Sequence, residues 1–454
     1  MNKFSILHLI LIGLLGCAFY GLLVGFSFDV IAILCFLIVV VVSIFDMRFL
    51  LLGWFLMAPY FHMTGKENQV NVAQNLTHVF FVPGLVLAYG LLLPKKNFLI
   101  LKRDGWYILF LVYLVISGLL STADHYANMR TIFVVYAIPF MLFLSIQSIT
   151  LNDSFFKYLT AIATFHLFAM TLIAWFEFQT GKSMFMSAMD WQDLGNLGNA
   201  RAAGPFSSPI ILGVFILFLL MIFLAAYLRK EISFGYFSVC LSIAMFAIFL
   251  TFTRSVWLGF IAAILFVITR MQSSRWIKFV LLIGFILAIT IATIVLLNNP
   301  DLSDRLLANT GLIRLVVAYS SIIMFLSAPV FGIGYGTFDL RISSFIENIF
   351  SIKMSGLTTS HVTVLTILAE LGVVGMALFL SFFYRNFIRR GYSLRDIQNR
   401  NEKIILVCNY GFVIAFIVNA FLIDMRFFSM GYSLLFFSLG IIINVSRTNL
   451  TVTK

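Results

Sequence analysis

One segment, Asn298–Gly375, interrupts a chain that is otherwise almost entirely apolar, and its centre reads Ser327-Ala-Pro-Val-Phe-Gly-Ile-Gly-Tyr-Gly-Thr-Phe338. It continues to Ser360-His361, after which a new apolar run begins. Charged residues are concentrated before that histidine: Asp301, Asp304, Arg305, Arg314, Asp339, Arg341, Glu347 and Lys353. We expect the chemistry where polar side chains gather in one loop, and the apolar segments on either side are expected to be its scaffold.

The composition of the whole chain indicates many membrane spans. Of its 454 residues, 62% are hydrophobic and 11% are charged, with a mean hydropathy of +1.05, whereas a soluble domain carries about 25% charged residues. We therefore predict an all-α, polytopic integral membrane protein in which residues 1–454 form a single membrane domain. Although the net charge is +12, the basic residues are spread over short loops, which argues against a nucleic-acid partner and leaves membrane lipids and lipid-linked anions.

Apolar runs of roughly 17–25 residues predict fourteen spans, or twelve if the weak hairpin Val30–Phe61 is left out. The predicted spans are Ile6–Gly25, Val30–Phe45, Phe49–Phe61, Leu76–Leu93, Trp106–Ser121, Thr131–Ile149, Lys157–Phe178, Phe206–Leu228, Ile232–Phe252, Val256–Thr269, Ile277–Leu297, His361–Tyr384, Ile404–Ile423 and Met430–Val445. Glu177 and Glu370 are nearly the only charges inside them.

The positions of lysine and arginine predict the orientation of these spans, because cytoplasmic loops are enriched in both. When the spans alternate, four basic loops fall on one side, which we assign to the cytoplasm together with both termini: Lys95–Arg103, Arg229-Lys230, Arg270–Lys278 and Arg385–Lys403. The outer side then receives four polar segments: Gln179–Pro205, Thr253-Arg254, the large loop 298–360 and Asp424–Arg426. Within the large loop, Leu306–Leu326 is predicted to be an amphipathic helix at the membrane surface.

Three arginines of these outer segments are candidates for substrate binding. No ATP or sugar nucleotide is available outside the cytoplasm, so a reaction there must draw its energy from the substrate itself. Arg201, Arg254 and Arg314 could bind a phosphorylated substrate, because a guanidinium can hold two phosphate oxygens at once. The alternative for each is an anchor at the membrane interface.

His361 is the candidate general base. Ser360 is a suitable N-cap and predicts a helix that begins at His361, where the helix dipole favours the neutral imidazole. A neutral imidazole can accept a proton from a sugar hydroxyl. The alternative is a histidine that only hydrogen-bonds at the interface. Glu370, further along the same helix, is interpreted as a structural partner of another helix.

No metal and no nucleotide cofactor is predicted. The cysteines Cys17, Cys35, Cys240 and Cys408 lie in apolar runs, and no cluster of His, Cys, Asp and Glu has the spacing of metal ligands. The third glycine of Gly332-Ile-Gly-Tyr-Gly336 is misplaced for a dinucleotide fingerprint, and no strand precedes it. We interpret this cluster as a flexible re-entrant turn after Pro329.

With these residues in view, the chain resembles the O-antigen ligase and polymerase superfamily. Three blocks between Arg254 and Gly375 carry the similarity, and a fourth, weaker block is Arg201-Ala-Ala-Gly-Pro-Phe206. The three blocks are Thr253-Arg-Ser-Val-Trp-Leu-Gly259, Arg314 followed by Ser327–Phe338, and Ser360–Gly375.

The resemblance implies a metal-independent, inverting glycosyltransferase of the GT-C type in the bacterial cytoplasmic membrane, working without a cofactor. Its donor would be an oligosaccharide on undecaprenyl diphosphate, and its acceptor a hydroxyl of another glycan or of lipid A-core. Arg254 and Arg314, with Arg201 as a further candidate, would bind the diphosphate, and His361 would deprotonate the acceptor. A chain-length regulator could act as a protein partner.

One departure from the family pattern bears on the acceptor. O-antigen ligases usually place Asn, Ser or Gln after the histidine, whereas Val362 follows His361 here. This favours an O-antigen or capsule polymerase over a ligase. A transporter of lipid-linked glycans would instead line a cavity in the middle of the membrane with charges, and a peptidoglycan polymerase of the shape-and-division type would rely on a carboxylate of an outer loop.

Overall fold

The computed structural model describes residues 48–61, 104–182, 201–206, 208–271, 310–350, 362–389, 397 and 399–452. All regular structure within these ranges is helical. Four predicted spans lie outside the described residues, namely Ile6–Gly25, Val30–Phe45, Leu76–Leu93 and Ile277–Leu297. His361 lies outside them as well.

The described ranges contain twelve helices, numbered here in chain order. The first six are α1 Arg48–Phe61, α2 Gly105–Leu120, α3 with its consecutive parts His125–Thr131, Ile132–Ala137 (π-helical) and Ile138–Ser148, α4 Asp153–Thr180, α5 Pro209–Leu228 and α6 Phe234–Leu250. The last six are α7 Arg254–Arg270, α8 Thr310–Ser327, α9 Phe338–Phe350, α10 Thr363–Phe383 with a π-helical extension Tyr384–Arg389, α11 Arg400–Leu422 and α12 Ser429–Val452.

Six of these helices, α3, α4, α5, α10, α11 and α12, are long and apolar enough to cross a membrane. The described part of the chain is therefore all-α, as predicted, and it contains six helices that could form the predicted membrane spans. Each predicted span within the described residues coincides with a helix whose ends differ by a few residues. The predicted total of twelve to fourteen spans includes segments outside these residues.

Helix α5 lies at the centre of the bundle. Nearly all of its side chains are buried, as expected for a helix that is apolar all round. It packs against α4, α6, α7, α11 and α12. Helices α8 and α9 pack against α10 through a separate apolar cluster that includes Val317, Phe338 and Ala369. The described part of the predicted amphipathic helix Leu306–Leu326 belongs to α8, which has one packed face and one exposed apolar face.

Three contacts place several loops at one end of the bundle. Arg201 reaches the turn between α6 and α7, and Thr363 at the start of α10 reaches the turn after α11. Gly259 of α7 lies against Ala415 and Asn419 of α11. The start of α7 is therefore beside the end of α11, and the two groups of loops share one end.

Helix α10 is interrupted at Gly372, whose φ of 63° and ψ of −167° are essentially open to glycine alone. The interruption frees two N–H groups and two carbonyls that a continuous helix would pair with one another. Residues 328–337, here named the glycine loop, pair with all four. The hydrogen bonds of 2.9–3.2 Å run from Val373 N–H to Pro329, from Val374 N–H to Val330, from Ile333 N–H to Ala369 and from Gly334 N–H to Glu370.

The glycines of this loop allow it to approach α10 closely. Gly332, Gly334 and Gly336 all have positive φ, and a Cβ on Gly332 would lie 2.2 Å from the Glu370 carbonyl oxygen. The predicted turn after Pro329 is thus present. It is not a loosely attached, flexible turn, however, because its backbone completes the hydrogen bonding of a broken helix.

Candidate functional site

The start of α10 differs from the prediction. The helix begins at Thr363 rather than at His361, and Val362 before it has an extended backbone with φ −142° and ψ 105°. Extended backbone at Val362 is incompatible with a helix that is already under way at that residue. Sequence reasoning placed the N-cap at Ser360, but the observed N-cap is Val362.

Thr363 attaches the start of α10 to the turn after α11. Its hydroxyl donates to the Ile423 carbonyl at 2.8 Å and accepts from the Met425 N–H at 2.8 Å. One turn later, the Thr366 hydroxyl donates to the Asp424 carboxylate at 3.2 Å. These bonds fix the first turn of the helix that follows His361 in the chain.

Glu370 connects α10 to two other segments. One carboxylate oxygen accepts from the N–H groups of Gly336 and Phe338 at 3.0 and 3.1 Å. The other oxygen lies 2.8 Å from Arg426. The structure therefore supports the interpretation of Glu370 as a structural partner, and it identifies that partner as Arg426, in the turn between α11 and α12.

Arg426 is buried among three carboxylates. Its Nε donates to Asp424, an Nη atom lies 2.9 Å from the same carboxylate, and Glu370 and Asp339 lie 2.8 and 3.7 Å away. Burial by itself lowers the pKa of Arg426, but Asp424, Glu370 and Asp339 together hold it well above the ordinary value. The guanidinium is therefore a permanent positive charge at the centre of this cluster.

The sequence does not predict this cluster. The charge pattern places Asp424-Met-Arg426 on the outer side but indicates no partner for it. The available signal was an acid and a base two residues apart between two apolar runs, where charges are expensive unless they are paired. Asp339, the second residue of α9, is the most exposed of the three acids. Burial raises its pKa to about 7 even though Arg426 opposes the change.

Arg201 is the predicted site residue with the most extensive described contacts. Its Nε donates to the Thr251 carbonyl at 3.1 Å, and one Nη donates to the Thr253 hydroxyl at 2.9 Å and to the Phe252 carbonyl at 3.4 Å. These residues form the tight turn that was predicted between two spans. Arg254 follows at once as the first residue of α7.

Arg254 and Arg314 both have exposed side chains. The structure brings Arg201 to the turn that carries Arg254, whereas Arg314 lies on α8, which packs against α9 and α10. The diphosphate-binding role of these two arginines stays a prediction, as does the role of His361. Among the residues described here, no group of three or more His, Cys, Asp and Glu side chains is arranged to hold a metal ion.

Comparison with known families adds one match. Residues 237–380 match the family model described as O-antigen ligase, a segment of about a third of the chain that includes Arg254, Arg314, His361 and the glycine loop. The predicted relationship to the O-antigen ligase and polymerase superfamily, a group of glycosyltransferase-like enzymes, is confirmed. Arg201 and Arg426 lie outside the matched segment. No curated protein matches the chain.

Proposed function

With an O-antigen ligase domain in residues 237–380 as the premise, we propose that the chain is a membrane glycosyltransferase that transfers a glycan from undecaprenyl diphosphate to an acceptor hydroxyl. One observation supports this most directly. The turn that carries Arg254 and the first turn of α10, which follows His361, share one end of the bundle. A charged-phosphate site and a proton acceptor are the two parts that such a transfer needs.

The proposed reaction inverts the anomeric carbon without a metal. His361 takes the proton of the acceptor hydroxyl, and the freed oxygen attacks C1 of the donor sugar. The bond between C1 and the phosphate oxygen breaks, and undecaprenyl diphosphate leaves with the electron pair. Arg254 and Arg314 stabilise the negative charge that develops on the diphosphate.

The proposed location follows from the source of energy. A polyprenyl diphosphate donor carries its own leaving group, so the reaction can proceed on the outer face of the bacterial cytoplasmic membrane, where nucleotides are absent. In this arrangement both termini are cytoplasmic, and the end of the bundle that contains Arg254 faces the periplasm or the exterior.

We favour a polymerase that joins lipid-linked glycans over a ligase, because Val362 replaces the polar residue that usually follows the histidine of O-antigen ligases. A ligase acting on lipid A-core is the second candidate, and the match to the family model is compatible with either enzyme. The two differ only in the acceptor, so that a single assay separates them.

The test uses purified protein in detergent, an undecaprenyl diphosphate-linked repeat unit and a chelator, with His361→Ala beside the native chain. We expect a ladder of longer lipid-linked glycans, reduced about 10²- to 10⁴-fold in the variant, as for loss of a general base. His125→Ala, which removes an exposed histidine at the start of α3, is the matched control and should keep the ladder.

Each other outcome has a definite meaning. Transfer that appears only after lipid A-core is added identifies a ligase. Unchanged turnover in His361→Ala removes His361 from the mechanism, and complete loss of turnover in the presence of the chelator contradicts metal independence. The absence of glycan transfer with either acceptor contradicts the proposed function.

A further inference from the structure

The turn between α6 and α7 contains a strained residue. Only Thr251, Phe252 and Thr253 separate the two helices. Phe252 has a φ of 48°, in the left-handed region that a bulky L-residue rarely adopts. Its N–H is bonded to the Phe249 carbonyl at 2.9 Å. Such a conformation persists only where surrounding contacts impose it.

Arg201 supplies contacts of this kind. Its guanidinium donates to a group of each residue of the turn, namely the carbonyls of Thr251 and Phe252 and the hydroxyl of Thr253. The Nε and one Nη of Arg201 make these bonds. That edge of a guanidinium is one of those that bind a phosphate through two parallel hydrogen bonds, and here it is occupied by the turn.

The segment that directly follows Arg201 is held in place by a buried carboxylate. Glu177, near the end of α4, is fully buried and accepts from the N–H groups of Ala203 and Gly204 at 2.9 and 2.8 Å. The Ala202 N–H donates to the Leu250 carbonyl, the last residue of α6, at 3.1 Å. A continuous series of hydrogen bonds therefore runs from Glu177 through residues 202–204 to the turn.

We infer that Arg201 is a positioning residue, which holds the strained turn and thereby directs Arg254, rather than a ligand of the diphosphate. Arg254 directly follows the turn, so the geometry of Thr251–Thr253 sets the direction in which its side chain leaves α7. This revises the predicted role of Arg201 and rests on the proposed function, in which Arg254 binds the leaving group.

A double-mutant cycle tests this inference through kcat and KM for the lipid-linked donor, using Arg201→Lys, Arg254→Ala and the double variant. Lysine keeps the positive charge but cannot bond to three residues of the turn at once. We expect Arg201→Lys to lower kcat/KM about 10- to 100-fold, as for a misplaced binding group. The double variant should be no worse than Arg254→Ala, because Arg201 acts through Arg254.

Two results would overturn the inference. One is a double variant whose fold-loss in kcat/KM equals the product of the two single losses, as expected if each arginine contacts the diphosphate. The other is full activity of Arg201→Lys, which would show that charge alone suffices. Arg270→Lys, at the exposed far end of the same helix α7, is the matched control and should behave as the native chain.

Hydrogen exchange of the backbone gives a readout that is independent of turnover. In Arg201→Lys, amides 249–256 should exchange faster than in the native chain, while those of the Arg270→Lys control should not. Unchanged exchange would contradict the hold of Arg201 on the turn. Native protein that transfers no glycan would refute the proposed function instead, and the exchange experiment would still decide whether Arg201 holds the turn.

Discussion

Residues 201–206 and the glycine loop are both attached to a long helix by a buried glutamate. The two helices differ, because one is continuous and the other is broken. Glu177 lies in α4, an uninterrupted helix of 28 residues, and accepts two backbone N–H groups with one oxygen. Glu370 also accepts two backbone N–H groups, but its other oxygen pairs with Arg426. Its helix is broken two residues later, at Gly372, where the loop supplies the missing bonds.

This difference predicts in which of the two regions a substitution costs less stability. Residues 201–206 rest on a helix that is complete without them. The glycine loop completes its helix, so that neither can shift unless the other does, and a buried charge cluster lies beside both. Perturbations around Glu370 should therefore cost more stability than matched perturbations around Glu177.

The largest effect is expected from Arg426→Ala. This change leaves the buried carboxylates of Glu370 and Asp424 without their guanidinium, and removing one partner of a buried ion pair costs about 3–5 kcal/mol. Denaturant or thermal unfolding of the purified protein in detergent measures the change. Arg270→Ala, which removes an exposed arginine, is the control. Equal stability of the two variants would show that the cluster contributes little.

A matched pair of glycine substitutions gives an intermediate effect. Gly204 and Gly332 both have positive φ, so alanine costs about 1–2 kcal/mol at either position. A Cβ on Gly204 meets only the flexible end of Leu212 at 3.4 Å, whereas on Gly332 it meets backbone at 2.2 Å. Gly332→Ala should therefore lower the unfolding temperature clearly more than Gly204→Ala. The reverse order would contradict the close seating of the loop on α10.

The smallest change in the free energy of unfolding is expected from a substitution of Asp339. Burial raises the pKa of this residue to about 7, and Arg426 acts in the opposite direction. Between about pH 4 and 7 the folded chain binds more protons at Asp339 than the unfolded chain, so its free energy of unfolding falls as the pH rises through this window. Asp339→Asn should flatten that slope and be more stable than the native chain above pH 7. Glu347→Gln, an exposed residue of the same helix, is the control. An unchanged slope in Asp339→Asn would contradict the raised pKa.

The same comparison shows what the sequence can predict. Apolar runs locate the described helices other than α9 because hydropathy is a local property of the chain, and the tight turn at Thr253-Arg254 follows from the short distance between two such runs. The pairing of Glu370 with Arg426 joins residues far apart in the chain, and no local pattern encodes it. The bonds from Arg201 to Thr251 and Thr253 are of the same kind, which is why Arg201 was interpreted from its charge alone.

The start of α10 was misplaced for a related reason. Ser360 has the side chain of a good N-cap, and local preference puts the helix start beside it. The observed start at Thr363 coincides with the bonds of its hydroxyl to Ile423 and Met425. At Thr363, a tertiary contact has overridden the local preference for a helix that starts beside Ser360.

The exchange of backbone hydrogen bonds at Gly372 has a consequence for membrane insertion. A continuous apolar helix satisfies its own peptide groups and can partition from the translocon into lipid alone. α10 would enter with the peptide groups around Gly372 unpaired, each costing several kcal/mol in hydrocarbon. Insertion of α10 therefore requires the glycine loop, which is synthesised earlier, to pair with these peptide groups. In a nascent chain that ends before α10, the loop has no partner for its own backbone groups.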